Sequence, residues 1–315
     1  PPMQSVAIVG VCHCVPGKVL KNEDFPAMGI DTSDEWIRTR TGIRERRITE
    51  KGETTLSLAL GAAREALKQG NIDVKSIELI IVACITPDAI MPSTACAVQK
   101  ELGLPGTIAF DVVAACSGFI YGLSTAEALM KARGIKTALV IGAERLSTVV
   151  DWKDRSTCVL FGDGAGAAVL QLSENGTSKI VDSIIGANGS HSDLLTLPPG
   201  GLVFMNGKEV FKLAVTVMGD SAQKLLERNG VTKEDVALVI PHQANNRIIE
   251  AISDRVKIPM EKFFVNLDRY GNTSAASIPI ALSEAVAAGR LKKGDWLLLV
   301  AFGGGLTWGA TLVKW

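Results

Sequence analysis

Residues 111–143 read DVVAACSGFIYGLSTAEALMKARGIKTALVIGA. The apolar run Ile108–Val113 hands over to small residues with Cys116 at the join. That pattern predicts a strand over 107–113 and a helix over 116–132, ended by Gly134. TALVIG (137–142) then predicts a second strand. Upstream, Thr54–Gln69 is amphipathic with helical period and is stopped by Gly70. Glu78–Ile85 is a continuous apolar run, the signature of a strand buried on both faces. Ser93–Leu102 predicts a short helix before Gly103. Downstream come the charged loop DWKDRST (151–157) and a paired strand region over 157–172.

After about residue 175 the order recurs. A strand (179–187), a long helix (207–229), a turn, TKED, and a strand (236–241) lead into a helix running to 257. A strand (263–267), a helix (275–288) closed by Gly289, and strands over 296–302 and 307–315 complete the chain. Strands alternating with helices imply mostly parallel sheets covered by helices. The halves also echo each other in detail. CSGFIYGLSTAEALMKARG before TALVIGA answers NTSAASIPIALSEAVAAG before DWLLLVAFGG, and FGDGAGAAVLQL answers FGGGLTWGATLVKW. Any α/β chain repeats strand and helix, but matched order with matched glycines favours duplication. On that reading 1–174 is one half and carries Cys116, while 175–315 is the other and carries His242 and Asn272. Cys116 and Asn272 would open equivalent helices.

The chain has 315 residues, 47% of them hydrophobic, enough for a large core. Lys plus Arg equals Asp plus Glu at 33 each, so net charge points to neither nucleic acid nor membrane. No apolar run reaches the roughly 18 residues a spanning helix needs. Pro1 and Pro2 ahead of Met3 read as an appended scar. Six cysteines at 12, 14, 84, 96, 116 and 158 lie irregularly, mostly within apolar runs. Together these features lead us to expect a cytoplasmic protein with reduced thiols and no metal site.

Cysteine is often just a small buried hydrophobe, and Cys12, Cys14, Cys84, Cys96 and Cys158 are read that way. Cys116 differs in position. A helix N-terminus carries partial positive charge, which stabilises a thiolate and lowers its pKa below the free value of about 8.5. Of three histidines, His13 sits between two cysteines in a strand, where neighbours face opposite ways and cannot share a metal. His242 follows the apolar strand VALVIP in PHQANN, at the end of a parallel strand where sites collect. Taken alone it fits a loop histidine equally well. Asn272 in YGNTSAASIP fits a turn or cap residue, or an amide donor to an oxyanion. Gly303–Gly305 would let backbone approach a ligand. FGDGAGA lacks both phosphate-loop spacings, so a glycine-rich hairpin is expected there.

Taken together, DTSDEWIRTRTGIRERR, DVVAACSGF, DRSTCVLFGDGAGAAVL, PHQANNRII, RYGNTSAAS and AFGGGLTWGATL resemble the β-ketoacyl-acyl carrier protein synthase III family of the thiolase superfamily. The resemblance runs through nearly the whole chain. It implies a duplicated α/β fold in five layers, α/β/α/β/α, and a homodimer. It implies a Cys116–His242–Asn272 set that condenses an acyl-CoA primer with malonyl-acyl carrier protein. Backbone N–H groups of Cys116 and Gly304 would form an oxyanion hole. Coenzyme A enters as a thioester substrate, with no separate cofactor. By resemblance Trp36, Arg40 and Arg155 contact the coenzyme A nucleotide, although an ordinary tryptophan and solvated arginines fit those positions too. Met91 matches a side chain that a partner subunit lends to the acyl pocket. Arg247 and Lys212 match carrier-docking positions, and Asp254 departs from the basic run expected nearby. Among rivals, a biosynthetic thiolase would carry a second cysteine where Phe302 stands. A polyketide-type starter enzyme fits the same motifs. A Cys-His-Asn hydrolase would need a local signature that Cys116 lacks, and a non-catalytic coenzyme A binder would not need the three groups.

Overall fold

The structure is a computed structural model that describes residues 3–315. Pro1 and Pro2, read above as a scar, lie outside the described residues. In chain order the first part holds β1 (Gln4–Cys14), β2 (Val19–Lys21), α1 (Asp34–Thr41), β3 (Glu45–Arg47) and α2 (Thr55–Gln69). Next come β4 (Leu79–Ala83), α3 (Thr94–Leu102), β5 (Ile108–Val112), α4 (Gly118–Arg133), β6 (Thr137–Arg145) and β7 (Asp163–Glu174). The second part holds β8 (Lys179–Ala187), β9 (Leu195–Thr196), β10 (Phe204–Met205), α5 (Gly207–Arg228) and β11 (Val236–Pro241). It ends with α6 (Asn246–Val256), α7 (Leu267–Tyr270), α8 (Ser277–Ala287), β12 (Trp296–Gly303) and β13 (Thr307–Lys314).

Two mixed sheets carry the fold. The first has strand order β1-β7-β6-β4-β5, the second β11-β12-β13-β8. Read from their antiparallel edges, both run in the same order. The first strand of each part pairs with its last, which pairs antiparallel with the strand after α4 in the first part and after α8 in the second. Parallel neighbours then follow. Every residue of β4 is buried, as its unbroken apolar run requires. Helices α4 and α8 lie between the sheets in one apolar cluster, in which Phe119, Leu123, Ile278 and Leu282 join Leu79 and Val140 of the first sheet and Leu238 and Leu297 of the second. Helices α2 and α3 cover the outer face of the first sheet, and α5 and α6 that of the second. That is the five-layered thiolase-like α/β fold.

Three expectations change. The run 263–267 forms no strand: only Phe263 bridges, to Val239, and Leu267–Tyr270 turns into helix, so the second sheet has four strands. FGDGAGA is no hairpin. Residues 157–160 are a turn, Phe161 makes a lone bridge to Asn272, and the glycines open β7, which has a neighbour on each side. A Cβ on Gly166 would lie 2.6 Å from Pro279 Cβ, so these glycines bring α8 onto the sheet. Third, Cys116 and Asn272 are not equivalent. Each middle helix is preceded by one 3-10 turn, Ala115–Ser117 and Ser274–Ala276. Both turns open on a left-handed residue, Ala115 at φ 49° and Ser274 at φ 51°. Cys116 therefore matches Ala275, and Asn272 lies three residues upstream of that match.

Each turn docks on a glycine of the other sheet. A Cβ at Gly142 in β6 would lie 2.7 Å from Ala275 C, and one at Gly303 in β12 would lie 2.6 Å from Cys116 N. Overpacking of this kind costs about 1–3 kcal/mol. Gly142→Ala is expected to lower stability by about that amount, seen as a reduced urea midpoint at unchanged slope.

Candidate active site

Cys116 sits in the 3-10 turn that begins at the end of β5 and feeds α4. It is 8% exposed and lines a cavity of about 1280 Å³. His242, Asn272 and Gly304 line the same cavity. Three structural elements bring these side chains in. His242 follows β11, where its N–H donates to Val300 O at 2.8 Å. Asn272 is stitched to the chain before β7: its N–H donates to Leu160 O at 2.8 Å, and its carbonyl accepts from Gly162 N at 2.9 Å. Gly304 follows β12, the strand whose last glycine packs against the Cys116 amide.

Two serines that sequence reading passed over complete the arrangement. The Cys116 thiol donates to Ser274 Oγ at 3.3 Å. His242 Nδ1 lies 2.7 Å from Ser277 Oγ, which also accepts from Gln243 N at 3.3 Å. Asn272 Oδ1 accepts from Ser274 N at 2.8 Å, which leaves its NH₂ end as the donor. The signal was in NTSAAS, where hydroxyls recur two and five residues after Asn272.

The expected resting thiolate is corrected. Burial pushes the Cys116 thiol up to about 12, opposed by its bond to Ser274. A helix end contributes at most about 2 kcal/mol, little more than one pKa unit, while full burial moves a group by up to 3–5 units. Desolvation wins, so Cys116 rests as a thiol. Burial also lowers His242 to about 3, keeping the imidazole neutral. Behind this wall of the cavity, the buried Glu144 carboxyl accepts from Ile85 N at 2.6 Å, and burial pushes it up to about 8. Among the described residues no group of three or more His, Cys, Asp or Glu could hold a metal ion, and His13 instead pairs with Ser283 Oγ at 2.7 Å.

With this geometry in view, the chain was compared with known proteins. Residues 110–189 match the family described as 3-Oxoacyl-[acyl-carrier-protein (ACP)] synthase III, and 226–315 match its C-terminal family. The Beta-ketoacyl-[acyl-carrier-protein] synthase III of Aquifex aeolicus is 53% identical over 98% of this chain and 99% of its own. The chain belongs to the β-ketoacyl-acyl carrier protein synthase III family. The Bacillus pumilus synthase III is 47% identical over 99% of both chains. The solved Aquifex aeolicus synthase III superposes with TM-score 0.96 at 51% identity, covering 98% of this chain and 100% of that one. The Priming beta-Ketosynthase from the R1128 Polyketide Biosynthetic Pathway superposes with TM-score 0.92 at 35% identity, covering 99% and 97%.

The other residues singled out by the synthase III resemblance fall into two groups. Trp36 on α1 lies between two guanidinium groups, Arg40 and Arg155, each 4.5 Å from its ring centre. Arg155 also donates to Asp31 O at 2.7 Å. The three meet at the surface, outside the cavity lining. Arg247 on α6 is exposed and donates to Thr39 O at 3.1 Å; Lys212 on α5 is exposed, 3.5 Å from Glu209. Met91 is 87% exposed and is not in its own chain's cavity wall, whereas Ile90 beside it is.

A thiol raised this far gains thiolate tenfold with each pH unit. Alkylation of Cys116 by iodoacetamide, followed site by site with mass spectrometry, is expected to rise about tenfold per unit from pH 7 to pH 9 without a plateau. A plateau near neutrality would mean a thiolate at rest.

Proposed function

We propose that the chain initiates fatty acid biosynthesis as a β-ketoacyl-acyl carrier protein synthase III. It is an acyltransferase that joins an acyl-CoA primer, acetyl-CoA in the simplest case, to malonyl-acyl carrier protein with loss of CO₂. The observation that carries this reading is the convergence of Cys116, His242, Asn272 and Gly304 on one cavity, in a chain about half identical to synthase III relatives over nearly its full length.

The first half-reaction exchanges thioesters. The Cys116 sulfur bonds to the primer carbonyl, the bond to coenzyme A breaks, and the thiol proton leaves with the coenzyme A sulfur. When Cys116 ionises, the Ser274 hydroxyl 3.3 Å away turns to donate. The oxyanion on the primer carbonyl is assigned to the backbone N–H groups of Cys116 and Gly304. In the second half-reaction malonyl-acyl carrier protein loses CO₂ and leaves an enolate. With the Ser277 hydroxyl donating to Nδ1, the neutral His242 ring carries its proton on Nε2 and donates it to the enolate oxygen. Asn272 donates beside it from the NH₂ end of its amide. The enolate carbon then attacks the acyl-Cys116 carbonyl, and the sulfur leaves.

The remaining assignments belong to the same reading. Trp36, Arg40 and Arg155 bind the coenzyme A nucleotide, supported by a ring already stacked with guanidinium planes. Arg247 and Lys212 meet the acidic carrier protein. The division into 1–174 and 175–315 is supported by the shared strand order. A cytoplasmic homodimer with Met91 reaching the partner's pocket is supported by the exposed apolar Ile90, Met91 and Val113 beside edge strand β5. The reaction uses coenzyme A thioesters and no added cofactor or metal.

Purified protein is expected to form a 3-oxoacyl-acyl carrier protein from acetyl-CoA and malonyl-acyl carrier protein with ping-pong kinetics. Rates with acetyl-, isobutyryl- and longer acyl-CoA separate this role from that of a polyketide starter. Asn272→Ala is expected to slow CO₂ release from malonyl-acyl carrier protein about 10²–10³-fold, while acyl transfer to Cys116 changes little. Equal loss in both half-reactions would remove Asn272 from the enolate step.

A further inference from the structure

We propose that Arg46 is a positioning residue that sets Asn272 in place from the far side of its loop. The inference rests on the role given to Asn272 above. Arg46 lies in β3 and is fully buried, the largest side chain in the molecule to be so. Among the described residues no carboxylate forms an ion pair with it, and Glu45 and Asp24 act on it only at longer range. Its guanidinium spans three neutral oxygens: Nη1 donates to Leu20 O at 3.0 Å, and Nη2 donates to Asn22 Oδ1 at 2.9 Å and Val159 O at 2.7 Å. The plane lies over the Phe25 ring at 4.8 Å, and Nε has no hydrogen-bond partner.

A buried guanidinium without a counter-ion is expensive, and burial lowers its pKa to about 10. Packing alone would be served by an apolar side chain of similar volume. What an apolar residue cannot do is join three chain segments at fixed distances.

One of those segments leads straight to Asn272. Val159 lies two residues before Phe161, which bridges to Asn272, and one before Leu160, whose carbonyl receives the Asn272 N–H. The stem of Arg46 supports the same bridge. Cβ atoms placed on Gly162 and Gly271 would sit 3.1 and 3.5 Å from Arg46 Cβ. These glycines flank the bridge on its two strands, so Arg46 is pressed directly beneath it. On its other side Arg46 holds Asn22, whose Nδ2 donates to Ile43 O at 2.7 Å and to Asp34 Oδ1 at 2.9 Å in the first turn of α1. Cys116 belongs to 1–174 like Arg46 but makes none of these bonds; its thiol meets the Asn272 loop through Ser274 Oγ. Loosening Arg46 therefore moves the enolate donor and leaves the nucleophile where it is.

The test uses the full-length enzyme. Arg46→Lys keeps the charge but cannot span three oxygens, and Asn22→Ala removes one of the three with Arg46 intact. Acyl-enzyme formation from saturating acetyl-CoA is followed by intact-mass spectrometry. CO₂ release is followed when preformed acyl-enzyme meets malonyl-acyl carrier protein, with thermal unfolding fixing the folded fraction. Since displacing a catalytic group slightly can cost up to about 10²-fold, CO₂ release is expected to fall about tenfold in Arg46→Lys and about threefold in Asn22→Ala, with acyl-enzyme formation within about twofold of the parent. Equal losses in both half-reactions, or none in either, overturn the proposal. Asn272→Ala, run in parallel, tells two failures apart. If it too spares CO₂ release, the role given to Asn272 has failed. If it alone loses CO₂ release, only the positioning claim has failed.

Discussion

Two tight turns meeting at the centre of the molecule hold the rest of it in register. Each opens on a left-handed residue, Ala115 or Ser274, a conformation that costs an L-residue roughly 1–2 kcal/mol. Each is pressed against a glycine of the opposite sheet, Gly142 under Ala275 and Gly303 against Cys116 N. Neither turn could take this shape without the other half, because the surface it packs on is supplied by that half. The left-handed residue lets the chain leave the strand and enter the helix within one 3-10 turn, so the side chain at the bend faces the seam. In the first half that side chain belongs to Cys116. In the second, Ala275 occupies the matching place, and the amide that lines the cavity, Asn272, lies three residues upstream. Symmetry in the backbone thus delivers different groups to one cavity.

The same burial that fixes the geometry removes charge. Cys116 is held as a thiol, His242 as a neutral imidazole and Glu144 largely as the acid near neutral pH. Arg145, Asp88 and Asp111 also line the cavity, but the three groups that face the proposed reaction, Cys116, His242 and Asn272, are neutral. In the proposed second half-reaction a malonyl carboxylate brought among them loses hydration, and losing CO₂ transfers its charge to an oxygen within reach of oriented donors. A protonated histidine would stabilise the incoming carboxylate as well as the enolate and so bind ground state and transition state alike. The low pKa of His242 keeps the donation selective for the charge that develops.

Much of this was legible in the chain. The matched order of elements has its counterpart in the shared strand order of the two sheets, and β4, β6 and β12 lie where unbroken apolar runs put them. The shortfalls have physical reasons. Phe263–Leu267 has strand composition, yet only Phe263 finds a partner strand, so tertiary context overrides propensity. The glycines of FGDGAGA suggested a turn because the helix they accommodate, α8, is more than a hundred residues away in sequence. The thiolate reading failed for a similar reason. A helix start is visible in sequence, but the depth of the pocket around it is set by Ser274, Phe302 and Gly304 from the other half. Ser274 and Ser277 were passed over because a hydroxyl gains a role only from its neighbours.

The cavity also constrains the order of events. Cys116 is almost wholly enclosed, and the space in front of it is one cavity shared by His242, Asn272 and Gly304. Both proposed substrates are long thioesters that must bring a carbonyl to the same sulfur. In the proposed sequence coenzyme A leaves before the carrier-bound malonyl group arrives. The covalent bond to Cys116 is what allows this, since it keeps the primer in place while the cavity empties. The enclosure suits the proposed ping-pong order, and the nucleotide contact proposed at Trp36, set apart from the cavity lining, would hold a part of the first substrate that the second does not carry.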